Sequence, residues 1–222
     1  MKVLTHKIIN ENSYKDLSLM NDVEEFMRTK PEICGSKKLT DNFFKFRSAS
    51  YTWIVEQINK YSDECGSFLD FGCGRTPLAP YLLVAHGLGI FGYDDCSGVG
   101  DNYVREMWSK SELRFKTDLA RIMERAYTVQ YFLTEFNQHY DTIVSVSVLQ
   151  HLDNLILTLK NIIAKSNISI HVIDFIPNNK NNLKPLFKYL GLWNEVRDLN
   201  DRAFIGVVIE SGKGADINEN FK

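Results

Sequence analysis

The hydrophobic pattern changes texture near Gly66. Before that point Phe46, Ser50, Ile54, Ile58 and Tyr61 recur every three or four residues, and Tyr51 and Val55 widen the stripe. That spacing predicts one amphipathic helix. Further upstream, residues 1–38 are polar and mixed, with a shorter helical pattern over 21–27 punctuated by Pro31 and Gly35. Past Gly66, short apolar runs alternate with helical stretches, the texture of a β/α chain. Strands are predicted at Ser67–Phe71, Gly89–Tyr93, Val129–Leu133, Thr142–Val146 and Ile168–Ile173, with two more at Glu195–Leu199 and Ala203–Ile209. Helices are predicted at Leu78–His86, through Leu119 to Ala126, at Leu152–Ala164 and at Leu183–Leu190. Residues 211–222 lack apolar periodicity and read as a flexible tail.

This pattern divides the chain into an N-terminal helical cap or lid (1–62), an α/β core (63–210) and the tail (211–222). Helices between successive strands force a mostly parallel sheet. Ligands of such sheets sit at the carboxyl ends of the strands, near the point where strand order reverses. Function is therefore sought in the residues that end the first four strands.

Composition changes the picture modestly. The 222 residues carry 26 Lys and Arg against 28 Asp and Glu, a net charge of −2, which disfavours a nucleic-acid partner needing a broad basic surface. No apolar run is long enough for a signal-peptide core or a membrane span, so a soluble, cytoplasmic protein is expected. Cys34, Cys65, Cys73 and Cys96 show no C-x-x-C spacing and no histidines at zinc-finger distance. They read as reduced thiols, and no metal site is expected.

The chemistry concentrates after the first predicted strand, in Phe68-Leu69-Asp70-Phe71-Gly72-Cys73-Gly74-Arg75-Thr76-Pro77. Two glycines around one residue let the backbone turn sharply and let a ligand approach where a Cβ would intrude. The helix that follows points its first N–H groups at whatever is bound. The second strand ends in Asp94, and 94 − 72 = 22 residues is the separation at which a carboxylate reaches both hydroxyls of a ribose. A nucleoside-containing cofactor is implied. A nicotinamide dinucleotide is disfavoured, because its fingerprint wants a third glycine where this chain has Pro77.

Leu69-Asp70-Phe71-Gly72-Cys73-Gly74 resembles the first motif of the class I S-adenosylmethionine (SAM) dependent methyltransferases, and Phe91-Gly92-Tyr93-Asp94 resembles their second. The segment Tyr140 to Leu152 is similar to their fourth-strand region, with an aspartate, an apolar strand and an LxHL ending. The resemblance covers roughly residues 46–210. It implies a Rossmann-like, doubly wound, mostly parallel seven-stranded sheet with an antiparallel last strand. It also implies SAM as methyl donor and S-adenosylhomocysteine (SAH) as product.

Carried over by motif position, Asp70 would help hold the methionine ammonium, with Gly72, Cys73 and Gly74 forming the turn over the cofactor. Asp94 would take the ribose, with Asp95 beside it, and Glu135 or a neighbouring backbone group would read the adenine. Arg47, on the helix before the first strand, would pair with the cofactor carboxylate, or be an ordinary exposed arginine. Ser145 marks where backbone carbonyls meet the ammonium. His151 would serve as a base for a hydroxyl acceptor, or would cap the following helix.

The leading expectation is methyl transfer to a small molecule at oxygen. There is no N/D-P-P-Y/F motif for exocyclic amines and no Pro-Cys nucleophile. An RNA base or a nitrogen acceptor is the alternative, and a non-catalytic SAM- or nucleoside-binding module the contrasting class. Phe43, Phe44, Phe46, Tyr51 and Trp53 cluster ahead of the core, either packing the cap onto it or covering a substrate.

Overall fold

The computed structural model describes residues 1–9, 41–62, 66–72, 90–93 and 138–212. Among them the elements run β1 (Lys2–Ile9), α1 (Asp41–Tyr61), β2 (Phe68–Phe71), β3 (Ile90–Tyr93) and β4 (Tyr140–Val146). They continue with α2 (Leu155–Ala164), β5 (Ser166–Phe175), α3 (Lys180–Tyr189), the single turn α4 (Trp193–Val196) and β6 (Ala203–Glu210). A 3₁₀ turn, Leu149–His151, joins β4 to α2.

These six strands form one mixed sheet in the order β1-β6-β5-β4-β2-β3. The pairs β3–β2, β2–β4 and β4–β5 are parallel, and β6 runs antiparallel to both β5 and β1. From β2 the chain goes to β3 on one side, then returns to β4 on the other. The strand order therefore reverses around β2, and the crevice between the carboxyl ends of β2 and β4 is the switch point.

Alternation along the strands sends residues to two cores. On one face Phe68, Val144, Val146, Ile170, Val172, Phe204 and Val208 pack against Trp53, Ile54, Val55 and Ile58 of α1. On the other, Leu69, Ile143, Ile173, Phe175, Ile205 and Val207 meet Leu159 and Ile162 of α2 and Leu183, Leu186 and Phe187 of α3. Burial on both faces is what a parallel sheet needs, and from Ile170 to Phe175 every residue of β5 is buried, the polar His171 and Asp174 included. Gly206 is required where α1 crosses β6, since a Cβ there would lie 2.8 Å from three atoms of the Trp53 ring.

Several expectations are corrected. Lys2–Ile9, expected within a helical cap, is a strand pairing with β6 from Lys2↔Glu210 to Ile9↔Phe204. Its Thr5, His6 and Lys7 hide the alternation, because an edge strand with half-exposed side chains has no need of an apolar stripe. Of the two expectations for the aromatics ahead of the core, packing onto it holds for Tyr51 and Trp53, which are 2% exposed where α1 covers one sheet face. The strand expected at Glu195–Leu199 is the helical turn α4 with the residues after it, because Val196 and Leu199, three apart as on a helical turn, are the residues of that stretch that pack on the core. The expected helix start at Leu152 moves to Leu155, because Leu152 is extended after the 3₁₀ turn and Asn154 is the N-cap. The antiparallel final strand is present as β6. Of the seven expected strands, Val129–Leu133 lies outside the described residues, as does the tail from residue 213.

Candidate active site

β2 carries Asp70 at its third position, 1% exposed and paired in register with Gly92 of β3 and Val144 of β4. One residue past the strand, Gly72 has φ +72°, a conformation that L side chains adopt only under strain. A Cβ on Gly72 would lie 2.3 and 2.6 Å from the two methyls of Val148. Glycine is therefore required twice, for the turn and for the close approach of the loop that follows β4. The loops after β2 and β4 interlock at the switch point through this contact.

The β4 side is built from four residues. Ser145 is fully buried, and its hydroxyl lies 2.8 Å from Nδ1 of His171, its register partner on β5. Burial depresses the His171 ring to about 3, so it is neutral. Next comes Ser147, whose φ of 55° makes it the non-glycine residue with positive φ among the described residues. Its backbone N–H donates to the Val172 carbonyl at 2.8 Å, while its buried hydroxyl has no hydrogen-bond partner among the described residues. In the 3₁₀ turn, both amide atoms of Gln150 are buried and likewise without a partner among the described residues.

His151 ends that turn, its backbone N–H donating to the Val148 carbonyl at 2.9 Å and its side chain exposed. It does not cap α2, whose N-cap is Asn154. The histidine therefore stands free of the helix at the carboxyl edge of β4. Arg47 lies on α1. Cys73, Gly74, Asp94, Asp95 and Glu135 lie outside the described residues, so the structure brings together Asp70, Gly72, Ser145 and His151 from the sequence-derived set.

The aspartate of the fourth-strand segment has a different job. Asp141 accepts hydrogen bonds from the Ser67 backbone N–H at 2.8 Å, the Ser67 hydroxyl at 2.9 Å and Asn167 Nδ2 at 3.0 Å. These bonds, the Ser67 pair first, hold its carboxyl below the usual carboxylate range. They strap together the amino ends of β2, β4 and β5, at the edge opposite the site. Ser147, Gln150 and His171 are what sequence reasoning missed. The first two announce themselves by backbone angle and unpaired atoms, which no spacing encodes. Only the period-2 alternation of β5, which puts His171 on the same face as Ile173 and Phe175, was available as a signal.

A SAM-like cofactor fits this edge on local geometry: a buried carboxylate at the end of β2, followed at once by a left-handed glycine turn at the switch point. Among the described residues no group of three or more His, Cys, Asp or Glu side chains is placed to hold a metal ion. No helix among them is long and apolar enough to cross a membrane.

The fold and this edge define a class I SAM-dependent methyltransferase. The family model described as a methyltransferase domain matches residues 43–191, and the chain belongs to that family. Its fold is similar to that of magnesium protoporphyrin IX methyltransferase (ChlM) from Synechocystis PCC 6803 with bound SAM. That likeness has TM-score 0.53 and 14% identity, over 90% of this chain and 100% of that one. It is also similar to the methyltransferase domain of bacterial CtHen1 (TM-score 0.51, 12% identity, 72% of this chain and 96% of that one). Coclaurine N-methyltransferase bound to N-methylheliamine and SAH gives TM-score 0.50 at 12% identity, over 89% of each chain. No curated protein sequence matches the chain.

Proposed function

We propose that this methyltransferase acts on a small-molecule acceptor at oxygen, with His151 taking the acceptor's proton. When bound, SAM supplies an electrophilic methyl on a sulfonium, so the protein's tasks are alignment, exclusion of water and handling of one proton. Asp70 and the turn at Gly72 hold the amino-acid end of the cofactor, and Asp94 holds its ribose. Cys73, Gly74, Asp95 and Glu135 line the rest of that pocket, Arg47 pairs with the carboxylate, and the backbone carbonyl of Ser145 meets the ammonium.

One observation carries the acceptor half of this reading. His151 is exposed on a turn of its own at the carboxyl edge of β4, beside the Gly72–Val148 contact and free of any capping duty. An imidazole there is placed to take a proton from an acceptor hydroxyl. The net charge of −2 favours a small acceptor over a polynucleotide. A cytoplasmic setting goes with it, in keeping with four cysteines that show no pairing pattern.

The test is transfer of isotope-labelled methyl from SAM to pooled hydroxylated small molecules, pooled amines and bulk RNA in parallel. Label in the hydroxylated pool supports the proposal, and label confined to amines or RNA overturns it. With the acceptor in hand, His151→Ala should lower kcat about 10²-fold or more and abolish the acid limb of the pH profile. An unaltered rate and profile would remove His151 from the mechanism.

A further inference from the structure

We infer that Ser147 and Gln150 form the acceptor-recognition pair of this site, reading a neutral group that presents a hydrogen-bond donor beside an acceptor, as a lactam or carboxamide edge does. The inference deepens the small-molecule reading above and rests on it.

Buried polar atoms in a folded chain are nearly always paired, and each exception asks for a reason. Three lie within four residues here: the Ser147 hydroxyl and both ends of the Gln150 amide, none with a partner among the described residues. The backbone around them is not slack. Ser147 is held at φ 55° with its N–H bonded to Val172, and the neighbouring Leu149 is 1% exposed in the core. A segment this fixed keeps unpaired polar groups at a cost in stability, which a ligand that pairs with them would recover.

Their place points to the acceptor. Both follow β4 at the switch-point crevice, and Gln150 immediately precedes His151, the proposed base. Their chemistry selects its class. An amide unpaired at both ends needs an acceptor for its N–H and a donor for its carbonyl, and a hydroxyl serves either role. Neither side chain is charged, so a buried carboxylate or ammonium would find no counter-charge in this pair.

The test uses the full chain saturated with SAH and four probes: 2-pyridone, benzamide, benzoate and benzylamine, followed by ligand-observed NMR. The neutral amides should bind the wild type, and the two ions should not. Gln150→Met keeps side-chain length and removes both unpaired groups. It should bind SAH as the wild type does, lose about tenfold in 2-pyridone affinity, and melt about 2–4 °C higher in the absence of ligand. Ser147→Ala should likewise weaken 2-pyridone without lowering the melting temperature. The inference is overturned if Gln150→Met melts lower than the wild type, because the amide then has a structural partner. It is also overturned if 2-pyridone binds wild type and variants alike, or if the ions bind in preference. Absence of SAH binding to the wild type is a separate result, which overturns the cofactor reading and this inference with it.

Discussion

His171 should make the stability of the protein depend on pH in a defined window. In the folded chain the ring is buried between β4 and β6, bonded to Ser145, and its pKa is lowered to about 3 by desolvation. In the unfolded chain it titrates at its ordinary value of about 6.5. Below about pH 6.5 the unfolded state therefore binds a proton that the folded state refuses, and stability is lost as pH falls from there toward 3. Between about pH 8 and pH 5 this one ring should remove about 2 kcal/mol, since one pKa unit corresponds to about 1.4 kcal/mol. The assay is urea denaturation of the wild type and His171→Leu at several pH values across that range. The variant is expected to be less stable at pH 8, where the Ser145 hydroxyl loses its partner, but the gap should narrow by about 2 kcal/mol by pH 5. The other histidines are common to both proteins and cancel. Parallel stability curves would refute the reasoning, since they would mean that the ring is solvated or charged in the native state.

Three further outcomes follow from the geometry. Gly72→Ala should cost about 2–4 kcal/mol by chemical denaturation, through left-handed strain plus overlap with Val148, and Val148→Ala should recover part of that loss in the double variant. Asp141→Ala should cost about 1 kcal/mol, discounted for its partial exposure, while leaving SAM affinity unchanged because the strap lies at the far edge of the sheet. Since the carboxyl of Asp141 is held low, its contribution should be present above the usual carboxylate range and fade as pH falls through its folded value. Gly206→Ala should cost about 1–3 kcal/mol by displacing Trp53, with near-ultraviolet circular dichroism reporting the disturbed indole.

The parts of this molecule that announce themselves in its sequence are those governed by local rules. The stripe from Phe46 to Tyr61 specifies α1 because burying one face of a helix demands that spacing, and the apolar runs of β2, β4 and β5 follow from burial on both sides. The turn at Gly72 is legible because a left-handed conformation just past the end of a strand calls for glycine. What the pattern hides is decided by partners distant in sequence. β1 is a strand because Ala203–Glu210 offers it a ladder some two hundred residues away, so its own mixed polarity gives no sign. α1 covers the sheet because Gly206 admits Trp53, a pairing across 206 − 53 = 153 residues. Asp141 looks like part of a motif at the site, yet register places it at the opposite edge, bonded to Ser67 and Asn167. The unpaired atoms of Ser147 and Gln150 are visible only once backbone angles and burial are known.

The central claim is that the carboxyl edge around Asp70 and Gly72 binds SAM. Calorimetric titration of the full chain with SAM, SAH and NAD, repeated on Asp94→Ala, tests it most directly. The account predicts one-to-one binding of SAM and SAH, no heat from NAD, and SAM affinity weakened at least tenfold in the variant. Absence of SAM binding, preference for NAD, or a variant that binds SAM as tightly as the wild type would contradict it.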